Sequence, residues 1–189
     1  MAPPIPPSKY SNAFGNASPP AGKVPQEEVN KFCAAAKDGN AEVVKQKLKE
    51  YGPAILNRTD NMNDTALTWA AWMGHKHVVQ ILLDAGADIN ARGMTNRTAL
   101  GWAAQGARYE VIQLLLEKGA DTSLADIHGK TPLQIAQESP HPDTAAVFTE
   151  FERTRGKAAV AKSEIEAARA RSEAAIDALK KQRPNFKLK

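Results

Sequence analysis

Residues 64–90 read DTALTWAAWMGHKHVVQILLDAGADIN, and this stretch decides the fold because it recurs 33 residues further along the chain. The second copy, at 97–123, reads RTALGWAAQGARYEVIQLLLEKGADTS, and HGKTPLQIA at 128–136 begins a third. Agreement at one fixed offset over so many positions indicates an internal repeat. A unit of this size cannot bury its apolar face alone, so successive copies are expected to stack.

Each copy has a local physical interpretation. Thr65 is placed to cap a short helix at 66–73, since its hydroxyl can accept a hydrogen bond from a free backbone N–H group. Gly74 permits a tight turn into a second helix, and Gly86 ends that helix in the left-handed conformation. The second helix has one apolar face, which is formed by Val78, Val79, Leu82 and Leu83.

These residues resemble the ankyrin repeat, whose pattern runs TPLH, AA, GH, VV, LL, GAD and N. FCAAAKDGNAEVVKQKL at 32–48 is similar to an opening repeat with a polar outer face. The resemblance covers roughly residues 27–152. It implies an all-α ankyrin-repeat solenoid, built from about four units including the caps, each a helix-turn-helix plus a hairpin loop. A long C-terminal helix is expected to follow.

The copies depart from the family pattern at three places. Ala107 stands where a glycine is usual after the first helix, and Gly93 stands where the hairpin aspartate is usual. The hairpin around Gly93 is therefore expected to be more flexible or oddly shaped. The fourth unit has Ser-Pro-His-Pro at 139–142, which predicts a lengthened turn before a final helix beginning near Asp143, because proline interrupts helices.

Composition and charge divide the chain into three parts. We predict a proline-rich extended or disordered tail at 1–26, an ankyrin-repeat domain at 27–155, and a basic amphipathic helix and tail at 156–189. The formal net charge of +4 belongs to the ends, because the repeats carry a slight acidic excess and the last segment is strongly basic. A weakly charged body argues against nucleic acid as the main ligand.

Both tails leave two interpretations open. The N-terminal tail contains seven prolines by residue 25, so it is either disordered or an extended peptide that lies on a partner. The C-terminal segment at 156–189 is either a solvated helix with a frayed basic end or a segment that docks on a partner helix or touches phosphate. The basic tail therefore allows a secondary contact with nucleic acid or another anionic surface.

No catalytic, cofactor or metal constellation appears in the sequence. His75 and His77 are two positions apart and do not share a helical face, and His75 lies where the family uses a histidine for hydrogen bonds between repeats. Cys33 follows an apolar pattern and is expected in the core. We therefore predict that the chain is not an enzyme and holds no metal and no cofactor.

The tryptophans are expected to differ in role. Trp69 and Trp102 occupy the same register and are predicted to stack in the core, whereas Trp72 and Met73 are expected to form an exposed apolar patch. In the family, hairpin tips and first helices bind partners. Carried over by position, the predicted partner-binding residues are Asn61, Met62, Asp64, Trp72, Met73, Arg92, Met94, Thr95, Arg97, Gln105, Ile127, His128 and Lys130.

The resemblance implies a non-catalytic protein-protein interaction module. An adaptor or accessory subunit of a larger assembly is the first hypothesis, which uses the concave face and the tails. The alternatives are a ribonucleoprotein subunit contacted through the basic helix and a regulator that inhibits another enzyme. One cysteine and no apolar run long enough to span a membrane predict a cytoplasmic protein, with a mitochondrial or other organellar address as the alternative.

Overall fold

The computed structural model describes residues 24–141, 143–155 and the single positions 166, 169, 170 and 173. The chain forms two compact units, Met1–Phe148 and Thr149–Lys189. The predictions for the N-terminal tail and for most of the C-terminal segment fall outside the described residues. The four single positions near the C-terminus are helical. The domain boundaries at 26 and 155 stay a prediction.

Within the described residues, three pairs of α-helices follow one another along the repeats, and a seventh helix begins the last unit. A 3-10 turn at Gly52–Ile55 follows the first pair, and another, at Met94–Asn96, lies in the second hairpin. Residues 143–155 form a further helical stretch, which begins where the sequence predicts it. The seven helices are α1 Gln26–Lys37, α2 Ala41–Tyr51, α3 Ala66–Met73, α4 Lys76–Asp84, α5 Ala99–Gln105, α6 Tyr109–Glu117 and α7 Pro132–Glu138.

Threonine caps the inner helices α3, α5 and α7, as the repeat pattern predicts. The hydroxyl oxygen of Thr65 accepts a hydrogen bond from the backbone N–H of Thr68 at 3.1 Å. Thr98 and Thr131 cap α5 and α7 in the same way. Such a cap satisfies a backbone N–H group that the helix itself leaves without a partner, and it stabilises the helix by about 1 kcal/mol.

The turn between paired helices has the same shape with or without glycine. Gly74 is left-handed, with φ of 87°, and Ala107 at the matching position is also left-handed, with φ of 51°. A side chain makes that conformation costly, so the third unit keeps the turn at the expense of strain. The departure at Ala107 therefore changes the local energy of the turn and leaves its path intact.

The helices form two layers that share one core. The inner helices α1, α3, α5 and α7 pack in that order, and the outer helices α2, α4 and α6 pack behind them. Fully buried aliphatic side chains lie between the layers, and removing one typically costs about 2–5 kcal/mol. They include Leu67, Val78, Val79, Leu82, Leu100, Ile112 and Leu115.

Hydrogen bonds between repeats set the register. His75 Nε2 lies 2.8 Å from the carbonyl oxygen of Lys37, which confirms the predicted role of this histidine. One repeat later, Arg108 Nε donates to the carbonyl oxygen of Trp72 at 2.9 Å, so an arginine does in the third unit what the histidine does in the second. The first repeat has the polar outer face that the sequence predicts, because the exposed residues of α2 are all polar: Glu42, Lys45, Gln46, Lys49 and Glu50.

Candidate functional site

The hairpins between repeats carry exposed apolar side chains at their tips. Met62 in the first hairpin is 54% exposed and Ile127 in the third is 62% exposed. Asn61 and His128 beside them are also exposed, as the sequence predicts for this surface. We use the name hairpin edge for the six exposed residues Arg58, Asn61, Met62, Arg92, Ile127 and His128.

The carboxylates of the first and third hairpins turn inward. Asp60 Oδ1 accepts the backbone N–H groups of Met62 and Asp64, and its Oδ2 accepts the indole N–H of Trp69 at 2.7 Å. In the third hairpin, Asp126 Oδ1 accepts two backbone N–H groups in the same pattern. An aspartate that satisfies backbone donors in this way fixes a tight turn.

The second hairpin has no aspartate of its own, because Gly93 occupies that position. A carboxylate from the preceding repeat contacts this hairpin instead, because Asp64 Oδ1 accepts the backbone N–H of Met94 at 3.1 Å. This bond is made one position after Gly93, whereas the aspartates of the first and third hairpins accept from residues two and four positions later. The predicted irregularity is confirmed at Thr95, which has a left-handed φ of 59° in addition to the left-handed residue that each hairpin shares. Asp64 is only 3% exposed.

Asp64 is therefore not an accessible binding residue, and its inclusion in the predicted surface is wrong. Its side chain faces the interior because the second hairpin needs an acceptor there. Burial raises the pKa of Asp64, and the hydrogen bonds from Met94 and Thr68 oppose that rise only in part. Keeping Asp64 ionised in the folded state therefore costs free energy, and the hydrogen bonds that it accepts offset part of that cost.

Arg97 is half-buried and serves mainly inside the molecule. Its guanidinium pairs with Asp126 at 2.5 Å, and the two side chains are 12% and 1% exposed. It also donates to Gln105 and lies over the ring of Trp102, 4.7 Å from the centroid. Burial alone would raise the pKa of Asp126, but the hydrogen bonds from Arg97, Lys130 and His128 outweigh it and lower that pKa.

The three tryptophans form one continuous stack. Trp72 lies between the other two, with ring centroids 5.4 Å from Trp69 and 5.1 Å from Trp102. Lys37 Nζ lies 4.5 Å from the centroid of Trp69, so a cation adjoins the rings at each end of the series. Trp69 and Trp102 are buried, as predicted, but each stacks on Trp72 and not on the other.

Trp72 and Met73 do not form the exposed apolar patch that the sequence predicts. Both side chains are half-buried, because the neighbouring rings cover much of Trp72. The remaining predicted binding residues divide by exposure: Arg92 and Gln105 are exposed, whereas Met94, Thr95 and Lys130 are half-buried. Lys130 is also paired with Glu138. Accessible apolar area therefore lies mainly at the hairpin tips.

Two features of the site were missed in the sequence. Arg58 belongs to the hairpin edge, yet its place in the long connection after α2 gave no repeat register to identify it. Arg108 and Lys37 hold neighbouring repeats together through contacts with Trp72 and Trp69. Arg108 stands 33 residues after His75, so the repeat register could have identified it, whereas the contact of Lys37 depends on how the repeats stack.

Three features of the described residues bear on chemistry at the site. Burial raises the pKa of the Cys33 thiol to about 12, so this side chain is not an active nucleophile. Residues 24–141 and 143–155 contain no group of three or more His, Cys, Asp or Glu placed to hold a metal ion. Within the described part of the chain, no helix combines the length and apolarity needed to cross a membrane.

Comparison with known families agrees with the repeat geometry. The family described as ankyrin repeats in three copies matches residues 21–93 and 91–153, which is more than half of the chain. None of the curated proteins compared with the chain matches it. Capping threonines, left-handed turns and paired helices recur in register across the matched region. The chain therefore belongs to the ankyrin-repeat family.

Proposed function

We propose that this chain is a non-catalytic adaptor or structural accessory subunit that binds a protein partner through the hairpin edge and the adjoining face of the inner helices. Ankyrin repeats are generally protein-protein interaction modules, and the family is typically non-catalytic. The finer assignment, to a built-in subunit of a larger assembly, rests on the small size of the repeat stack and on the two long tails.

One observation carries the proposal. Large apolar side chains that are exposed in the described residues are Met62, Tyr109 and Ile127, and two of these three lie at hairpin tips. Exposed apolar groups surrounded by polar ones are typical of interaction sites. The accessible members of the predicted surface are therefore proposed to make the first contacts with a partner, and half-buried Trp72 and Arg97 are proposed to support that surface from below.

The partner and compartment are part of the same proposal. The single buried thiol of Cys33 suits a reducing compartment, and we keep the cytoplasm as the proposed address with a mitochondrial or other organellar one as the alternative. An inhibitor of another enzyme would use the same surface. The predicted contact of residues 156–189 with nucleic acid or another anionic surface stays a prediction, because most of that segment lies outside the described residues.

Affinity purification of the tagged full chain from its native cells, read out by mass spectrometry, tests the proposal. The variant Met62→Asp/Ile127→Asp places two charges on the hairpin edge and should lose the partners that the wild-type chain captures. Tyr109→Asp is the matched control, because Tyr109 is 38% exposed and begins α6 in the outer layer. It should retain those partners. Circular dichroism verifies that both variants are folded.

The proposal fails if the double variant captures the same partners as the wild type. It also fails if Tyr109→Asp loses them equally while remaining folded, because binding would then not depend on the hairpin edge. Retention by Tyr109→Asp together with loss by the double variant would support a protein-binding surface at the hairpin tips.

A further inference from the structure

The hairpins expose positive charge and conceal negative charge. In segments 57–64, 91–97 and 124–130, the three carboxylates belong to Asp60, Asp64 and Asp126, and none of them is exposed. The charged residues of the same segments that are exposed as whole residues are two arginines, Arg58 and Arg92, whereas half-buried Lys130 is paired with Glu138. The exposed hairpin surface is therefore positively charged, because the turns use their aspartates for internal hydrogen bonds and leave the two arginines exposed.

From this charge pattern we infer that the hairpin edge binds an acidic amphipathic helix of a protein partner. The inference rests on the proposed function and adds the chemistry of the partner to it. A helix with carboxylates beside its apolar face would meet Arg58 and Arg92, while its apolar side chains would cover Met62 and Ile127. Complementary charge of this kind accelerates association and disfavours basic competitors.

Two neighbouring acids, Asp88 and Asp121, reduce the positive charge of this surface, and the backbone N–H of Asp88 donates to Asn57 Oδ1, next to Arg58. The exposed Asp121 has its pKa held down by hydrogen bonds from Ser123 and, to a smaller extent, by the charge on Arg92. Arg92 itself donates to the carbonyl oxygens of Asn96 and Ala125, and among residues 24–141 and 143–155 no carboxylate accepts a hydrogen bond from it. The guanidinium is thus held in place by backbone acceptors and keeps a charge that can act on a partner.

The spacing of the apolar anchors suits a helix of moderate length. Met62 and Ile127 lie two repeats apart, and inner helices pack about 8–10 Å from one another, so the anchors are about 16–20 Å apart. At a rise of 1.5 Å per residue, a partner helix covers that distance with about 11–14 residues. Two apolar side chains at that separation, with acids flanking them, describe the expected ligand.

A helix is favoured over an extended peptide because the hairpins use their own backbone groups. The N–H of Ile127 donates to the carbonyl oxygen of Thr95 at 3.0 Å, and the N–H groups of Asp60, Gly93 and Asp126 are bonded within their own hairpins. An added strand derives its affinity from main-chain hydrogen bonds. A helix satisfies its own backbone and needs only side-chain contacts.

The bond between Ile127 and Thr95 also links two successive tips, and the bond from Met94 to Asp64 links the second hairpin to the unit before it. These contacts fix the hairpin edge before a partner arrives. A surface that is already ordered loses less conformational entropy on binding, which improves affinity.

Selection from a phage-displayed library of random 16-residue peptides tests the inference. The bait is the immobilised full chain, and Met62→Ser/Ile127→Ser serves for counter-selection. The enriched peptides should be acidic, with two apolar positions about 11–13 residues apart. Fluorescence anisotropy then measures the binding of synthetic copies to Arg58→Glu/Arg92→Glu, which should be at least about tenfold weaker than binding to the wild type. Lys45→Glu/Lys49→Glu, which makes the same charge change on exposed positions of α2, should bind like the wild type.

Neutral or basic enriched peptides would overturn the inference, as would an equal loss of affinity in the two charge-reversal variants. Failure to enrich any peptide over the counter-selected variant would also overturn it. These failures leave the proposed function standing whenever native partners still depend on Met62 and Ile127 in the affinity purification. Loss of that dependence would remove both.

Discussion

The carboxylate of Asp64 occupies the space beside Gly93, where an added Cβ would lie 2.0 Å from Asp64 Oδ1. The two positions belong to adjacent repeats, and neither can be altered without consequence for the other. Asp64, in the preceding unit, therefore provides the second hairpin with an acceptor carboxylate that the first and third hairpins carry themselves. This relationship leads to a direct test.

Gly93→Asp alone should destabilise the chain by about 1–3 kcal/mol, because the new side chain collides with Asp64 and brings two carboxylates together. Combining it with Asp64→Gly should restore part of that loss, since the carboxylate introduced at position 93 could then accept from the hairpin as Asp60 does in the first. Urea denaturation of the wild type, both single variants and the double variant measures the coupling, expected at about 1 kcal/mol or more.

The control for this cycle is Asp88→Gly combined with Gly93→Asp. Asp88 is an exposed aspartate of the same repeat, so removing it should give no recovery. Equal recovery in both double variants would show that net charge, and not the space shared by positions 64 and 93, governs the effect.

Arg97→Ala should cost about 3–5 kcal/mol, because it leaves the charge of Asp126 buried without its partner. Arg97→Ala/Asp126→Ala should be less destabilised than the sum of the two single variants. Thermal and urea unfolding of the four proteins measure this. Lys118→Ala is the control for an exposed pair, the one with Asp84, and should change stability by under about 1 kcal/mol. A strictly additive result for Arg97 and Asp126 would contradict the assignment of this pair as coupled.

The pH dependence of stability should have opposite signs for two buried aspartates. Burial raises the pKa of Asp64 above 3.8, so its contribution is present below that value and is lost as pH rises through the folded pKa. The pKa of Asp126 is lowered, so its contribution is present above 3.8 and is lost as pH falls through the folded pKa.

Asp64→Asn should therefore gain stability relative to the wild type as pH rises from about 4 to about 7, whereas the stability that Asp126→Asn lacks relative to the wild type should be nearly constant above about pH 4 and should shrink as pH falls below that value. Urea unfolding at a series of pH values measures both differences. Parallel pH profiles for the two variants would refute the opposite roles of these carboxylates.

Trp72→Ala should destabilise the repeats by about 2 kcal/mol or more, since two ring contacts worth about 0.5–1.5 kcal/mol each are lost along with buried area. Trp72→Phe should lose less, and it should leave partner binding at the wild-type level if the ring is chiefly structural. Tyr109→Ala removes an exposed aromatic ring and should change stability little. Near-UV circular dichroism and urea unfolding distinguish these outcomes.

The 33-residue repeat was sufficient to predict the helices, their threonine caps, the role of His75 and the burial of Cys33. These features depend on local spacing and on one apolar face, which the sequence displays directly. The positions of Asp64 and Arg97 were misjudged because family register places them on the surface of an average repeat. Here Gly93 removes the usual acceptor and Asp126 provides a buried partner, and both effects join residues of neighbouring units.

The arrangement of the tryptophans could not be predicted for the same reason, because it depends on contacts between neighbouring repeats. Identical register suggested that Trp69 and Trp102 would meet each other, but rings one repeat apart need a third group to fill the gap between them. Trp72 lies on the same helix as Trp69 and provides that group. Which aromatic side chain becomes exposed is decided by the stacking distance between units, and sequence periodicity contains no information on that distance.

The order in which the inner helices pack has a mechanical consequence. The principal contacts join only consecutive units, from α1 to α3, α3 to α5 and α5 to α7. A pulling force applied to the two ends is then borne by these interfaces in series, and every interface experiences the same tension. The weakest one yields first, and each unit that opens releases about 110–120 Å of chain. A stack joined in this way is expected to lengthen by discrete steps under load.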